Sequence, residues 1–533
     1  MGEELVIAKD ELFYTGTPEQ IWQKYCGFLD LSLEEFMQIQ EHLLMEEIEL
    51  VADSPLGKKI MGGNKPKSVE EFRRTVPLTT YDDYAPYIGN CQEDVLAEKP
   101  YCWMRTSGLT GNPKWAPYTR SGFDRATTDS MAAFILSAAQ KKGEVYLNRK
   151  STPLLILPPR PYLTGWITFG VVNRLDRQPI IPLEIAEKME FFHKIEENFR
   201  VALRSKVDFI CALSSVLAKV GERFTSESRS LKLSWQLLHP LVIYHLARAQ
   251  LRSKIKKRPL LPQDIWAIKG IVCGGMDYSF YKEQVQRYWG TIPLDTYMTT
   301  ETGFIAMPSW TKKDKTFAPY SVFIELIPEE EWLKNKEDKE FQPTTVLLNE
   351  VEPGKRYEVV ATNFHGMPFL RYRIGDLIKI TSLEDKETDI RIPQMEFVSR
   401  ADDIIDIAGF TRLNEKTIWQ AIANTGISYE DWVIRKEYLA EQPILHLYIE
   451  LKENKDAQTV EKLVHNQLKT LDHDYHDLEA MLDMRPLKVT LLTSGTFQRY
   501  LEGKQKEGAE LAHLKPPHMN PSDSIVAELI KMS

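Results

Sequence analysis

The chain has 533 residues, too many for one hydrophobic core, so at least two domains are expected. A hydrophobic content of 43% with 27% charged residues is that of an ordinary globular protein, and a net charge of −9 leaves no basic surplus for a nucleic-acid partner. Five cysteines (Cys26, Cys91, Cys102, Cys211, Cys273) stand apart with no C-x-x-C pair, which disfavours structural zinc and a disulfide framework and suits a reducing, cytoplasmic setting.

In chain order, residues 17–52 predict helices. Ile21, Trp22, Tyr25 and Leu29, then Phe36, Ile39, Leu43, Leu44, Ile48 and Val51, recur at helical spacing behind caps at Thr17 and Ser32. The N-terminus lacks a basic region followed by a long apolar run, so no signal peptide is expected, and no apolar stretch is long enough for a membrane span. Pro77–Tyr84 reads as a turn leading into a helix. Strands are expected at Leu154–Leu157, Val207–Leu213, Ile268–Cys273, 294–298, 319–327, 344–348, 356–362 and 376–381, alternating at first with helices over 186–206, from Ser214 and over Tyr278–Trp289. Past Arg400–Asp406 a smaller unit follows: helices from about Asn414 and Ala457, strands at Ile444–Leu451 and Leu487–Leu492. The expected fold class is α/β: a large multi-layer N-terminal domain over 1–400 with sheets flanked by helices, and a small C-terminal α+β domain over 401–533.

The segment Arg105-Thr106-Ser107-Gly108-Leu109-Thr110-Gly111-Asn112-Pro113-Lys114 packs three hydroxyls, two glycines and a lysine into ten residues. Hydroxyls and exposed N–H groups donate to phosphate oxygens, glycine lets the backbone come close, and Lys114 adds a point charge. The spacing is not that of a G-x-x-x-x-G-K-[ST] loop, and as a sequence pattern an ordinary surface loop accounts for it equally well. Downstream, Asp295-Thr296-Tyr297-Met298-Thr299-Thr300-Glu301-Thr302-Gly303 places an aromatic, hydroxyls and a carboxylate where a strand ends, the position at which open α/β sheets bind ligands. Phe369-Leu370-Arg371-Tyr372-Arg373-Ile374-Gly375-Asp376 and Ser399-Arg400-Ala401-Asp402-Asp403 follow.

This ordered set resembles the adenylate-forming superfamily. The ending narrows the match. Ser494-Gly495-Thr496-Phe497, Lys506-Glu507-Gly508-Ala509 and Leu514-Lys515-Pro516-Pro517 look like the close of the auxin-responsive (Gretchen Hagen) acyl acid–amido synthetases and their bacterial relatives, as do Leu56-Gly57-Lys58-Lys59 and Val76–Asp83 earlier. The resemblance implies a ligase that uses ATP and Mg2+ to make an acyl adenylate from a small carboxylic acid, then passes the acyl group to an amino acid or other amine. It implies that Thr106, Ser107, Gly108, Thr110 and Lys114 face the phosphates, with Leu109 standing where the family has Ser or Thr. Gly274, Gly275 and Tyr297 would face adenine, Thr300 the α-phosphate, Glu301 magnesium, and Asp376 with Arg400 the ribose and nucleotide. Asp402 and Asp403 would mark the hinge of a mobile C-terminal domain, and Lys515 would be the adenylation lysine, with Lys504 and Lys506 as substitutes. Two other readings share parts of the pattern: a CoA ligase with a thiol acceptor, and a catalytically silent nucleotide-binding scaffold, which Leu109 alone favours. The aromatic run Pro158–Phe169 is a candidate acid-pocket wall or plain core. His473 and His476 lack a third metal ligand in any recognisable pattern and read as a hydrated loop.

Overall fold

The computed structural model describes residues 9–106, 114–189, 191–227, 240–274, 278–338, 340–401, 404–407, 411–439, 442–472, 475–476, 486–506 and 516–533. They form two compact units, the first drawn from 9–106, 114–374 and 379–396, the second from 375–378 and from 397 onward.

The N-terminal helices start where the caps place them. Thr17 accepts from Gln20 N at 3.3 Å while Gln20 Oε1 accepts from Thr17 N at 2.9 Å, and Ser32 and Glu35 repeat this reciprocal arrangement ahead of the helix Leu33–Val51. That helix buries Phe36, Leu44, Ile48 and Val51, and with them two polar side chains, Gln40 and Glu47. Gln40 Nε2 donates to Pro319 O (2.7 Å) and Val322 O (2.8 Å), and its Oε1 accepts from Ile324 N (2.9 Å).

A short antiparallel ribbon, β1 (Cys102–Arg105) and β2 (Trp115–Tyr118), comes next, in register from Cys102↔Tyr118 to Arg105↔Trp115. A four-stranded sheet of β3 (Pro153–Ile156), β4 (Phe209–Leu213), β5 (Gly270–Gly274) and β6 (Leu294–Asp295) follows, in that order and parallel throughout. Its continuous apolar strands are those of a sheet covered on both faces. The helices Phe191–Ala202, Ser214–Glu227 and Tyr278–Trp289 pack there around Trp266 and Trp289, stacked at 6.0 Å, whose indole N–H groups donate to Ala202 O and Leu217 O. The helix Arg120–Ala138 comes so close to β5 that a Cβ on Gly270 would stand 2.2 Å from Ser137 Oγ.

The chain then lays down a seven-stranded sheet from β7 (Tyr297–Thr299), β8 (Gly303–Pro308), β9 (Lys315–Phe317), β10 (Val322–Pro328), β11 (Arg356–Asn363), β12 (Tyr372–Ser382) and β13 (Gln394–Arg400), ordered β10-β11-β12-β13-β9-β8-β7. The single strand expected over 294–298 is two strands in different sheets: Leu294 pairs in parallel with β5, and Tyr297 pairs antiparallel with β8. The expected strand at 344–348 is reduced to one bridge, Val346 to Leu326.

In the second unit, β14 (Ile405–Ile407) and β15 (Thr411–Leu413) form a ribbon, and β16 (Tyr429–Leu439), β17 (Gln442–Leu451) and β18 (Leu487–Leu492) form a sheet with β17 in the middle. Helices Glu415–Asn424 and Ala457–Leu471 begin at Asn414 and Asp456, each of whose side chains accepts an N-terminal N–H. Trp432 and Ile434 of β16 enter one apolar core and Val433 enters another, so the sheet is covered on both faces. His518 is held within this unit between Glu415 (2.5 Å) and Asp431 (2.8 Å), stacked on Trp432 at 4.4 Å.

Candidate active site

The glycine-rich segment hangs from the β1–β2 ribbon. Thr106 N donates to Lys114 O at 2.9 Å, and Thr106 Oγ1 accepts from Lys114 N at 2.9 Å, so both ends of the loop are tied. Tyr81 steadies the far side: its hydroxyl donates to Trp115 O and accepts from Trp115 N. Lys114 Nζ lies over the Tyr81 ring, 5.1 Å from its centroid.

Facing Lys114 is the tip of the β7–β8 hairpin. Thr299 pairs with Gly303, whose φ of +74° closes the three-residue turn Thr300-Glu301-Thr302, a conformation that favours glycine. Thr299 and Thr302 share a hydroxyl contact of 2.8 Å, and Tyr118 OH donates to Thr300 O at 3.0 Å. The Thr300 hydroxyl has no hydrogen-bond partner among the described residues.

Glu301 is nearly buried, its side chain 12% exposed. Its Oε1 accepts from Tyr372 OH at 3.1 Å and lies 3.9 Å from Lys114 Nζ, and its carbonyl accepts from Asn363 Nδ2 at 3.2 Å. Oε2 has no hydrogen-bond partner among the described residues. Tyr372 is packed in turn against Phe369 and Tyr84 at 4.9 and 6.3 Å. The tied residues Thr106 and Lys114 and a carboxylate with one open oxygen thus come together. Neither Tyr81 nor Tyr372 was among the expected site residues, although both lie inside the motif-bearing stretches.

Tyr297, the first residue of β7, is buried. Just before it, Asp295 forms an ion pair with Lys315 at 2.6 Å. Burial pushes the Asp295 carboxyl up, and Lys315 pulls it back. Gly274 ends β5, the neighbour of β6 in the parallel sheet, and a Cβ added there would meet nothing within 4 Å. In the second unit Arg400 Nη1 approaches Asp376 Oδ1 at 3.3 Å, and Gly375, at φ +78°, keeps a Cβ away from the Arg400 guanidinium. Ser107, Gly108, Leu109, Thr110, Gly275, Asp402, Asp403, His473 and Lys515 lie outside the described residues.

Comparison with known proteins shows the family. Residues 26–216 match the GH3 family N-terminal domain, 315–400 the GH3 family central domain and 415–524 the GH3 family C-terminal domain. The chain belongs to the GH3 family. This GH3 chain is 25% identical to the jasmonoyl–L-amino acid synthetase GH3.5 of Oryza sativa subsp. japonica, over 92% of its own length and 94% of the relative's. It is also 25% identical to the 4-substituted benzoates–glutamate ligase GH3.12 of Arabidopsis thaliana, over 84% and 87% of the two chains. The solved structure of the GH3.15 acyl acid amido synthetase shares its fold, with a TM-score of 0.65 at 17% identity and 92% of both chains covered. The family resemblance and α/β fold expected from the motifs are both met. The matched domains hold the loop of Thr106–Lys114, the Asp376–Arg400 pair and the segment of Lys515, while Gly274, Tyr297, Thr300 and Glu301 fall in the interval between the first two. Among the described residues, no helix is long and apolar enough to cross a membrane.

Proposed function

We propose that Lys114 and Glu301 are the charge-handling centre of this GH3 ligase, which activates a carboxylic acid with ATP as an acyl adenylate and transfers the acyl group to an amino acid. The observation that carries the reading is the Glu301 carboxylate, fixed at a hairpin tip by Tyr372, 3.9 Å from Lys114, with Oε2 left open.

The first half-reaction joins two anions, so positioning and charge neutralisation must do most of the work. Lys114 supplies a fixed positive charge at the root of the phosphate loop, and Thr106 keeps a hydroxyl proton to donate after accepting from Lys114 N. Ser107, Gly108 and Thr110 complete that loop. The Thr300 hydroxyl donates to the α-phosphate, Tyr297 with Gly274 and Gly275 borders adenine, and Asp376, oriented by Arg400, accepts from the ribose hydroxyls. Lys515 is the adenylation lysine.

Among the described residues no three His, Cys, Asp or Glu side chains converge, so the donor set suits an ion that takes one carboxylate and draws its other ligands from phosphate and water. Glu301 would hold it through Oε2. Magnesium bound there supplies charge neutralisation at the phosphates. We place the nucleotide- and acid-binding parts in 1–400 and a mobile domain in 401–533, and the five unpaired cysteines fit a cytoplasmic enzyme.

The test is acid-dependent exchange of pyrophosphate into ATP across a panel of carboxylic acids. Glu301→Gln and Asp376→Asn are each expected to lower it about a hundredfold or more with melting unchanged. Undiminished exchange in either variant removes that residue from the site. Mass spectrometry of products formed with amino acids or CoA then identifies both substrates, and a thioester formed with CoA alone would replace the amino acid acceptor.

A further inference from the structure

The helix Pro240–Ile255 carries a surface that the ligase chemistry does not use. Tyr244 (60% exposed), Leu251 (60%) and Ile255 (71%) stand seven and four residues apart and share one face, with Ile243 (51%) at its margin. The opposite face holds Val242 and Ala249 against the protein. Among the described residues, other large exposed apolar side chains stand singly or, at Tyr438 and Leu439, as a pair. A whole helical line of them marks an interaction surface.

Its charge is equally one-sided. In a chain of net charge −9, every charged side chain from Ser228 to Gln263 is lysine or arginine. Two of these are engaged: Arg258 binds both oxygens of Asp264 at 2.7 and 2.9 Å, and Arg252 donates to Asp264 O at 3.3 Å. Arg248, Lys254, Lys256 and Lys257 are exposed and make no ion pair with any described residue. At 3.6 residues per turn Arg248 and Lys254 flank the apolar line on opposite sides. Lys257, at φ +49°, turns the chain sharply past the helix end, where Lys257 N and Arg258 N donate back to Lys254 O and Ser253 O. The helix lies within 217–314, which neither neighbouring matched family domain includes.

We propose that this helix docks the enzyme on an anionic lipid bilayer, lying in the interface with Tyr244, Leu251 and Ile255 inserted among the acyl chains. Cations bordering an apolar line suit that occupant: the line enters the bilayer boundary while the flanking lysine and arginine stems reach up to phosphate and carboxylate headgroups. A second copy of the chain fits less well, because pairing these helices would set like charges side by side. Nucleic acid would match the cations and leave the apolar line unmatched. The protein's overall negative charge does not forbid contact, since screening over about 8 Å lets the local patch decide.

The test is flotation of the full-length protein with vesicles of phosphatidylcholine alone or of about three phosphatidylcholines to one phosphatidylserine. The protein is expected to float with the anionic vesicles only and to be released by added salt. Replacing Lys254, Lys256 and Lys257 together by Gln should weaken partitioning about a hundredfold, near fivefold for each cation. Leu251→Gln should weaken it while leaving ligase activity in solution unchanged. Failure to float, equal flotation with neutral vesicles, or undiminished binding by Leu251→Gln each overturns the proposal. So does lipid-free self-association that Leu251→Gln abolishes, or capture of an acidic amphipathic peptide without vesicle binding.

Discussion

At the scale of single residues, what distinguishes Glu301 is that its aim is set by others. Tyr372 OH reaches its Oε1 and Asn363 its backbone carbonyl, so the residue is held by two neighbouring strands that lie more than sixty positions further along the sequence. A hydrogen bond to a charged acceptor contributes about 1.5–3 kcal/mol. Tyr372→Phe keeps the ring against Phe369 and removes the bond to Glu301. It should therefore lower kcat for pyrophosphate exchange about tenfold or more, with KM for ATP and the melting temperature little changed. Loss through KM alone would show that Tyr372 does not position Glu301. Lys114 and Glu301 were legible beforehand because family motifs flag them. Tyr372 stood in plain view within Phe369–Asp376, but nothing in a linear sequence says which strand residue points at which loop.

At the scale of elements, the segment joining β11 to β12 is fastened by a buried ion pair. Arg371, at φ +44°, donates through Nε and Nη2 to both oxygens of Glu325 on β10 at 3.0 and 2.7 Å, and through Nη1 to Val76 O at 2.7 Å. Removing one partner leaves the other buried and uncompensated, which costs about 3–5 kcal/mol. Glu325→Ala should lower the urea midpoint accordingly, whereas an unchanged midpoint would mean that water enters to solvate Arg371. The same region shows where periodicity runs out. The caps at Thr17 and Ser32 are local signals and were legible, as was a helix starting near Asn414. β16 was not, because Glu430, Arg435, Lys436 and Glu437 interrupt its apolar residues and its pairing with β17 is fixed only in three dimensions. Over 294–298 a single short strand-like stretch conceals a change of sheet at Thr296, since each half pairs with a different partner.

At the scale of the whole molecule, the C-terminal unit contains its own response to pH. Burial works against charge on His518, but Asp431 and Glu415 on its two nitrogens overcome it and hold the imidazole at about 10, against an ordinary 6.5. A raised folded-state value gives stability that is complete below 6.5 and lost as pH rises through about 10. Urea unfolding followed across that range should show the unit weakening steadily. His518→Gln should be less stable at the acid end and nearly flat, and a variant that kept the slope would place its origin elsewhere. Gln40 has a consequence of another kind. Strand β10 is an outer strand of the seven-stranded sheet, the sort of margin onto which a stray chain can add itself, and this one side chain occupies part of its backbone. Because the helix bearing Gln40 leaves the ribosome long before β10, the guard is made ahead of the margin it guards.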